Sequence, residues 1–301
     1  MVYLKKLVLD IGGTFIKYAV MNREAEILEK GKEKTPLDTL ENLVKTIKKI
    51  YGTFKDEVTG IAISMPGNID SETGQVYTPG SLAYNEGINI IEELNKHIDL
   101  PISVENDGKS AALAEAWMGN LKECNDGIVM IIGTGIGGGI IKDKKIHKGK
   151  NFFAGEFSFI MGSNNEANFD NVFAMQGSTS ALIKKVAEVK GINEDELDGY
   201  EVFNLIEKND EETLKVFNGF AKTIGIQIFN LQCILDPEKI LIGGGISKQK
   251  ILLEKIKENL DEIYKEMKMF KMPQAKIDTC KYFNDSNLIG ALYNYYLHFE
   301  N

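Results

Sequence analysis

Thiols are scarce in this chain and badly placed for chemistry. Cys124, Cys233 and Cys280 are its three cysteines, far apart and with no Cys-x-x-Cys pair, so a thiolate zinc site has no ligands to draw on. An odd number of thiols without framework spacing points to a reducing cytosol, hence to a cytoplasmic protein. Positive charge is also in deficit. Lys and Arg number 35 against 44 Asp and Glu, for a net charge of −9, and a field of that sign argues against a phosphate-backbone partner. No apolar run approaches the about 18–20 residues that a membrane span requires. The stretch from Met1 to Lys6 lacks the apolar region and small-residue cleavage site of a signal peptide, so no membrane partner is expected. The P-loop pattern G-x-x-x-x-G-K-[ST] is missing. The histidines, His97, His147 and His298, stand scattered among polar residues and suggest no chemistry.

What is present is a repeated grammar of strand and glycine turn. Lys6–Asp10 reads as a strand that runs into Ile11-Gly12-Gly13-Thr14, and apolar alternation resumes over Phe15–Met21 and at Glu26–Leu28; this is strand, turn, strand, turn, strand. The spacing predicts a helix over 37–51, with Leu40, Leu43, Val44, Ile47 and Ile50 on one face. A short buried strand, Gly60–Ser64, follows and closes at Pro66-Gly67. The pattern then recurs: the strand Gly127–Ile132, the turn Gly133–Gly139, then Ile140-Ile141, a Lys-Asp-Lys turn and Ile146. Two such units read as a duplication giving two α/β domains, and 301 residues are ample for both. Helical spacing dominates the later half, at Thr213–Leu231 and Ile251–Met269, with a strand entering Gly243-Gly244-Gly245 between them and a last helix over Asn287–Phe299. The domain break is expected near Gly119, so that 1–118 and 287–301 form one domain and 119–286 the other.

Five short segments carry candidate chemistry. In Asp10-Ile-Gly-Gly-Thr14, residues without Cβ let backbone amides approach an oxyanion as a nest, and Asp10 could hold magnesium through water; a plain hairpin turn explains the same glycines. Gly133-Thr134-Gly135-Ile136-Gly137-Gly138 contains a literal G-x-G-x-x-G with Glu156 about 20 residues on. A dinucleotide reading needs a helix next, whereas Ile140-Ile141 and a turn follow, so the loop would grip phosphate by its amides. Gly243-Gly244-Gly245 leaves room for something flat such as a nucleotide base, or is a tight strand-to-helix turn. Glu105-Asn106-Asp107 opens a helix whose dipole favours an ionised Asp107, as a general base requires; on local sequence alone an ordinary capping Asp or Asn is the commoner explanation. Glu156, in Ala154-Gly-Glu-Phe-Ser158, is either a hydroxyl-binding carboxylate or a solvated loop acid.

In this order the elements resemble the ROK family of bacterial sugar kinases and repressors, from Asp10 to about Leu292. The resemblance rests on D-I-G-G-T at 10–14, S-M-P-G at 64–67, E-N-D at 105–107, I-G-T-G-I-G-G-G at 132–139 and L-I-G-G-G-I-S at 241–247. It implies a two-domain actin/hexokinase-like (ribonuclease H-like) α/β fold with a cleft between domains, and a last helix that returns to the N-terminal domain. It implies ATP and Mg2+ as cofactors, with nucleotide binding by Asp10, Gly12, Gly13, Thr14 and Lys17, by Gly133, Thr134, Gly135, Gly137 and Gly138, and by Gly243, Gly244 and Gly245. Asn106, Asp107, Glu156 and the backbone of Gly67 match sugar-binding positions, with Asp107 as catalytic base. A homodimer is the implied assembly.

The departures bear on substrate. Where the family's A-G-E-x-G-H ends in His, this chain has Phe159; its cysteine-rich zinc cluster finds no cysteine between Met161 and Phe173; and a further sugar-binding Glu aligns with Ala174. The chain therefore resembles the zinc-free branch of β-glucoside kinases, glucokinase-like proteins and N-acetylmannosamine kinases, and Thr78–Asn89 looks most like the glucoside-kinase group. Phe159 could accept an aglycone or an acetyl methyl. The expected activity is hexose 6-kinase on glucose or a β-glucoside, with N-acetylmannosamine as the alternative. A sugar-responsive regulator is the competing class; Asp10 stands too near the start for a preceding helix-turn-helix, which leaves a non-catalytic sensor as its surviving form.

Overall fold

The structure, a computed structural model, describes residues 5–162 and 167–300. The chain divides into two compact units: residues 1–119 with 145–154 and 285–301, and residues 120–144 with 155–284. The segment 145–154 thus belongs with the first unit, although the sequence reading placed it in the C-terminal domain.

The first unit contains β1 (Lys5–Ile11), β2 (Phe15–Met21), β3 (Ile27–Lys34), α1 (Leu40–Phe54), β4 (Val58–Met65), the hairpin β5 (Asn68–Asp70) and β6 (Gln75–Thr78), α2 (Ile90–Asn95), β7 (Ile102–Asn106) and α3 (Asp107–Met118). The second contains β8 (Gly127–Ile132) and β9 (Ile136–Lys142), then α4 (Phe173–Gly177), α5 (Thr179–Lys190), α6 (Gly199–Glu207), α7 (Glu211–Leu235), β11 (Lys239–Gly243), α8 (Lys250–Glu266) and β12 (Ile277–Thr279). A two-residue strand β10 (Lys145–Ile146) extends the second sheet where the chain passes back to the first unit, and α9 (Ser286–Phe299) closes the first unit.

The duplication inferred from the glycine turns is visible as one topology used twice. The sheets run β3-β2-β1-β4-β7 and β10-β9-β8-β11-β12. In each, the hairpin around the glycine turn is antiparallel, β1 with β2 and β8 with β9. In each, the later strands add in parallel, β4 and β7 in one and β11 and β12 in the other. Apolar runs such as Ile61–Ile63 and Ile240–Ile242 are buried throughout, as parallel strands covered on both faces require.

Local chemistry sets the boundaries. α1 begins at Leu40 rather than near 37 because the Thr39 side chain accepts the Asn42 N–H at 3.2 Å as N-cap; Leu43, Val44, Ile47, Ile50 and Phe54 form its buried face. α7 runs from Glu211 to Leu235, capped by Asp210, beyond the predicted span at both ends. The largest correction concerns β7. The sequence reading had Glu105-Asn106-Asp107 opening a helix, whereas Glu105 and Asn106 end a strand and the helix starts at Asp107. Ser103, Glu105 and Asn106 are polar yet buried, so only Ile102 and Val104 give the strand an apolar signature.

α3 and α9 form the main helix pair of the first unit. Every residue of α3 from Gly108 to Glu115 is buried, and Trp117 stacks on Tyr293 of α9 with ring centroids 4.9 Å apart. The closest approach is at Gly290, where an added Cβ would lie 1.7 Å from the Ser110 carbonyl oxygen. Only a residue without Cβ fits there, so the small-residue run of α3 is explained by backbone-level packing. Gly290→Ala is therefore expected to destabilise the protein by about 3 kcal/mol, the upper end for overpacking. Chemical denaturation should show the lower midpoint; an unchanged midpoint would mean that the helices are free to separate.

Candidate active site

The first unit gathers its polar residues at the carboxyl ends of the parallel strands, where ligands bind in open α/β sheets. Strand register lines up Lys17, Asp10, Ser64 and Glu105 in one row across β2, β1, β4 and β7. Asp10, Ser64 and Glu105 are buried. The Asp10 carboxylate is held at both oxygens: Oδ1 accepts from Asn287 Nδ2 of α9 at 3.0 Å and Oδ2 from Lys17 Nζ at 3.3 Å. Asn287 is a residue that the sequence reading missed, because nothing beside it in the chain marks it as a partner of Asp10.

The glycine turn after β1 is a hairpin with part of its polar backbone already engaged. The Gly12 N–H donates to the Phe15 carbonyl at 3.0 Å, and the Gly12 carbonyl accepts from the Thr35 hydroxyl at 2.7 Å. The Thr14 carbonyl accepts from the Thr35 N–H at 3.0 Å. An added Cβ at Gly12 or Gly13 would make only an ordinary contact of 3.4 Å, with Phe15 O or Ser81 Oγ. Packing within the protein therefore does not require glycine at either position.

One row further along, Asn106 links three elements. Its Oδ1 accepts from the Lys109 N–H at 3.0 Å, capping α3, and its Nδ2 donates to the Gly67 carbonyl at 2.9 Å. Its own N–H donates to Glu105 Oε1 at 2.8 Å. Because Asn106 is the cap, Asp107 is not; it occupies the first turn of α3, with Oδ1 accepting from the Gly108 N–H at 2.8 Å. Gly67 has φ +112°, and a Cβ there would stand 2.2 Å from the Thr78 carbonyl oxygen. The loop can tuck against β6 only with glycine, and this presents its carbonyl to Asn106. Burial pushes the Glu105 carboxyl up from its ordinary pKa, while Lys148, the Asn106 N–H, Lys109 and the Ser71 hydroxyl act in the opposite sense.

The second unit holds the other candidates. The turn between β8 and β9 is also partly self-satisfied: the Gly133 N–H donates to the Gly135 carbonyl at 3.0 Å, and the Gly133 carbonyl accepts from the Thr179 N–H at the start of α5, at 2.8 Å. An added Cβ would meet no atom within 4 Å at Gly133 and only Ser158 Oγ, at 3.7 Å, at Gly135. Gly138 differs: its φ is +159° and a Cβ would meet the Val129 carbonyl at 2.2 Å and the Phe157 ring at 2.6 Å. Thr134 lies in the turn and Gly137 in β9, opposite Ile131.

Glu156 sits at the entry to the single turn Phe157–Phe159. That turn is bolted to the glycine loop by Ser158, whose hydroxyl donates to the Ile136 carbonyl at 2.6 Å and accepts from the Ile136 N–H at 3.2 Å. Ser158 stands where the family pattern has glycine, so the bolt was not legible from the pattern. Phe159 is 53% exposed and Ala174 half-buried. Residues 163–166, inside the stretch where the zinc cluster was sought, lie outside the described residues. Among the described residues there is no group of three or more His, Cys, Asp and Glu that could hold a metal, and no helix is long and apolar enough to cross a membrane.

The third glycine run is set in part by packing. A Cβ at Gly243 would meet Ile131 at 2.5 Å and Cys280 Sγ at 2.8 Å, and Gly244 has φ +92° with the Ile132 carbonyl 2.0 Å from a Cβ. Protein packing thus accounts for these two; of the three, only Gly245 has nothing within 4 Å.

Comparison with known proteins identifies the family and the fold. The ROK family matches residues 6–295. A beta-glucoside kinase of Listeria monocytogenes is 31% identical over 295 residues, covering 97% of each chain. A glucokinase of Halalkalibacterium halodurans is 29% identical, covering 94% of this chain and 92% of its own. Among solved structures, a ROK family protein from Streptococcus pneumoniae in complex with sucrose superimposes with a TM-score of 0.89 at 26% identity, covering 98% of each chain. The chain shares its fold and nearly its whole length with these proteins, and it belongs to the ROK family.

Proposed function

We propose that the protein is an ATP-dependent hexose 6-kinase acting on glucose or a β-glucoside, with Asp107 as the base that accepts the hydroxyl proton. The observation that carries this reading is the division of labour at the start of α3. Capping falls to Asn106, so the structural explanation for an acid at 107 is already taken up by its neighbour. Asp107 lies in the first helical turn, where the macrodipole favours its ionised form, and the Gly108 N–H orients its carboxylate. The names of the relatives, beta-glucoside kinase and glucokinase, and the sucrose bound by the structural neighbour, support a sugar or glycoside as acceptor.

A primary alcohol is a weak nucleophile until its proton leaves, and in phosphoryl transfer the protein contributes mainly positioning and charge stabilisation. Magnesium-ATP, when bound, supplies the phosphoryl group and neutralises part of its charge. Asp10 fits a magnesium site reached through water, since both of its oxygens already accept hydrogen bonds from Asn287 and Lys17. Gly13 of the first turn, Gly133 and Gly135 of the second and Gly245 of the third suit close approach of a nucleotide, because the fold itself leaves a Cβ unopposed or nearly so at each. Asn106, the Gly67 backbone and Glu156 are the residues proposed to bind sugar hydroxyls. A homodimer in the cytoplasm completes the reading; the chain's acidic charge of −9 suits a soluble enzyme that avoids nucleic acid.

Asp107→Asn keeps size and polarity but cannot take the proton. We expect kcat to fall by about 10²–10⁴ with a modest change in KM for sugar, the signature of a loss confined to the transition state. Steady-state kinetics on the best of glucose, cellobiose, N-acetylmannosamine, N-acetylglucosamine and fructose, with circular dichroism to verify folding, checks this. A folded variant that keeps more than about a tenth of wild-type kcat would remove Asp107 as the base.

The glycines separate by a second test. Gly135→Val should raise KM for ATP at least about tenfold while leaving the thermal midpoint close to wild type, since only Ser158 Oγ lies near its Cβ. Gly244→Val should lower the midpoint whether or not nucleotide is present. If Gly135→Val binds ATP like wild type, the second turn is only a turn.

A further inference from the structure

Glu105 has no part in the proton transfer, yet its side chain is completely buried. A buried carboxylate without compensation is costly, and the compensating charge here comes from outside its own strand. Lys148 Nζ lies 3.9 Å from Glu105 Oε2 and also pairs with Glu72 Oε1 at 3.0 Å. The first distance is that of a charge contact rather than a hydrogen bond. The other carboxylate oxygen, Oε1, accepts the Asn106 N–H. β7 is the edge strand of its sheet, and the buried Asn106 amide is satisfied by this side chain.

Lys148 is itself held in place. It belongs to the segment 145–154, which packs with the first unit. Asn68 Nδ2 donates to the Asn151 carbonyl at 2.9 Å, and Phe152 stacks on Tyr77 at 5.9 Å between ring centroids. Phe152 adopts φ +57°, a left-handed conformation unusual for an aromatic residue. Asn68 follows Gly67, so the same segment is tied to the loop that Asn106 grips.

Few other charges surround Glu105. Lys109 of α3 and Lys148 are the cations that bear on it, with the Ser71 hydroxyl beside it. Its register partner on β4 is Ser64. α9 contributes Asn294, which donates to the Val104 carbonyl at 3.2 Å, and His298, whose Nε2 is 3.4 Å from Glu72 Oε2. On α2, Glu92 is exposed and Glu93 pairs with Lys96 just past the helix end.

We propose that Lys148 is a positioning residue for phosphoryl transfer: its ammonium braces the Glu105 carboxylate, and through it the backbone from which Asn106 and Asp107 project. This rests on the reading of Asp107 as the base. An ion pair that only stabilised the fold would change the melting temperature and leave the pH dependence of turnover alone. A brace does more. Glu105 takes up a proton as the pH falls, weakening its hold on the Asn106 N–H, and without Lys148 it does so at a higher pH.

The test is kcat and KM against pH, from about 5 to 9, for wild type, Lys148→Met, Lys148→Arg, Glu105→Gln and the Lys148→Met/Glu105→Gln double variant, with folding followed by circular dichroism. Lys148→Met is expected to lower kcat about tenfold or more, as small displacements of a catalytic group do, and to move the acid limb up by about one pH unit. Lys148→Arg should restore both. With Glu105→Gln no charge remains to be braced, so adding Lys148→Met should change kcat less than about twofold. A wild-type pH profile in Lys148→Met, or the same loss in the Glu105→Gln background as in the wild type, overturns the proposal. If Lys148→Met alone does not fold, the comparison of Glu105→Gln with the neutral double variant decides, since a large kcat difference between those two also overturns it. Asp107→Asn, assayed alongside, keeps the two readings apart. Full activity there sinks the base, whereas an uncoupled Lys148 and Glu105 in an enzyme that needs Asp107 sinks only the brace.

Discussion

The arrangement of the first unit turns on one side chain, the carboxamide of Asn106. Its oxygen caps α3 through the Lys109 N–H and its nitrogen holds the Gly67 carbonyl, so a single planar group fixes a helix start and a loop relative to the end of β7. Each bond is worth only about 1 kcal/mol net, and a cap of this kind about as much. The effect is geometric more than energetic. Asp107 is the next residue along, and its position follows from the strand, the cap and the close packing of α3 on Gly290 of α9. Asp10 is likewise held by α9, through Asn287. The last helix therefore bears on both Asp10 and Asp107.

The structure separates the glycines by what a Cβ would meet. At Gly67, Gly138, Gly244 and Gly290 a Cβ would strike backbone at about van der Waals overlap or worse, so the fold demands the residue. At Gly133, Gly135 and Gly245 the protein makes no such demand, and these are positions where the proposed function brings a nucleotide close. The sequence shows runs of glycine without distinguishing these cases; at Gly243 and Gly244 packing alone already requires the residue, whatever else approaches it.

Legibility in the sequence followed locality. The hairpins around Gly12-Gly13 and Gly133–Gly139 were readable because alternation and turn chemistry are short-range signals, and the same sheet order recurs around both. β7 was not readable, since its buried Ser103, Glu105 and Asn106 make a strand look like a polar helix entrance. The contacts of Asn287 with Asp10, of Lys148 with Glu105 and of Ser158 with Ile136 span 277, 43 and 22 positions, and no local pattern announces a partner at such distances. The motif order gave the family; long-range polar contacts give the means by which its residues are held.

The account stands most directly on whether a phosphoryl group reaches a sugar. Phosphorus NMR of the protein with magnesium-ATP and each sugar of the panel measures this without an intermediary enzyme. The expected result is one phosphate monoester on the primary hydroxyl of glucose or a β-glucoside per ADP formed, abolished or nearly so in Asp107→Asn. Sugar binding by calorimetry with no phosphate monoester from any sugar would contradict the account and leave a sensor built on a kinase fold.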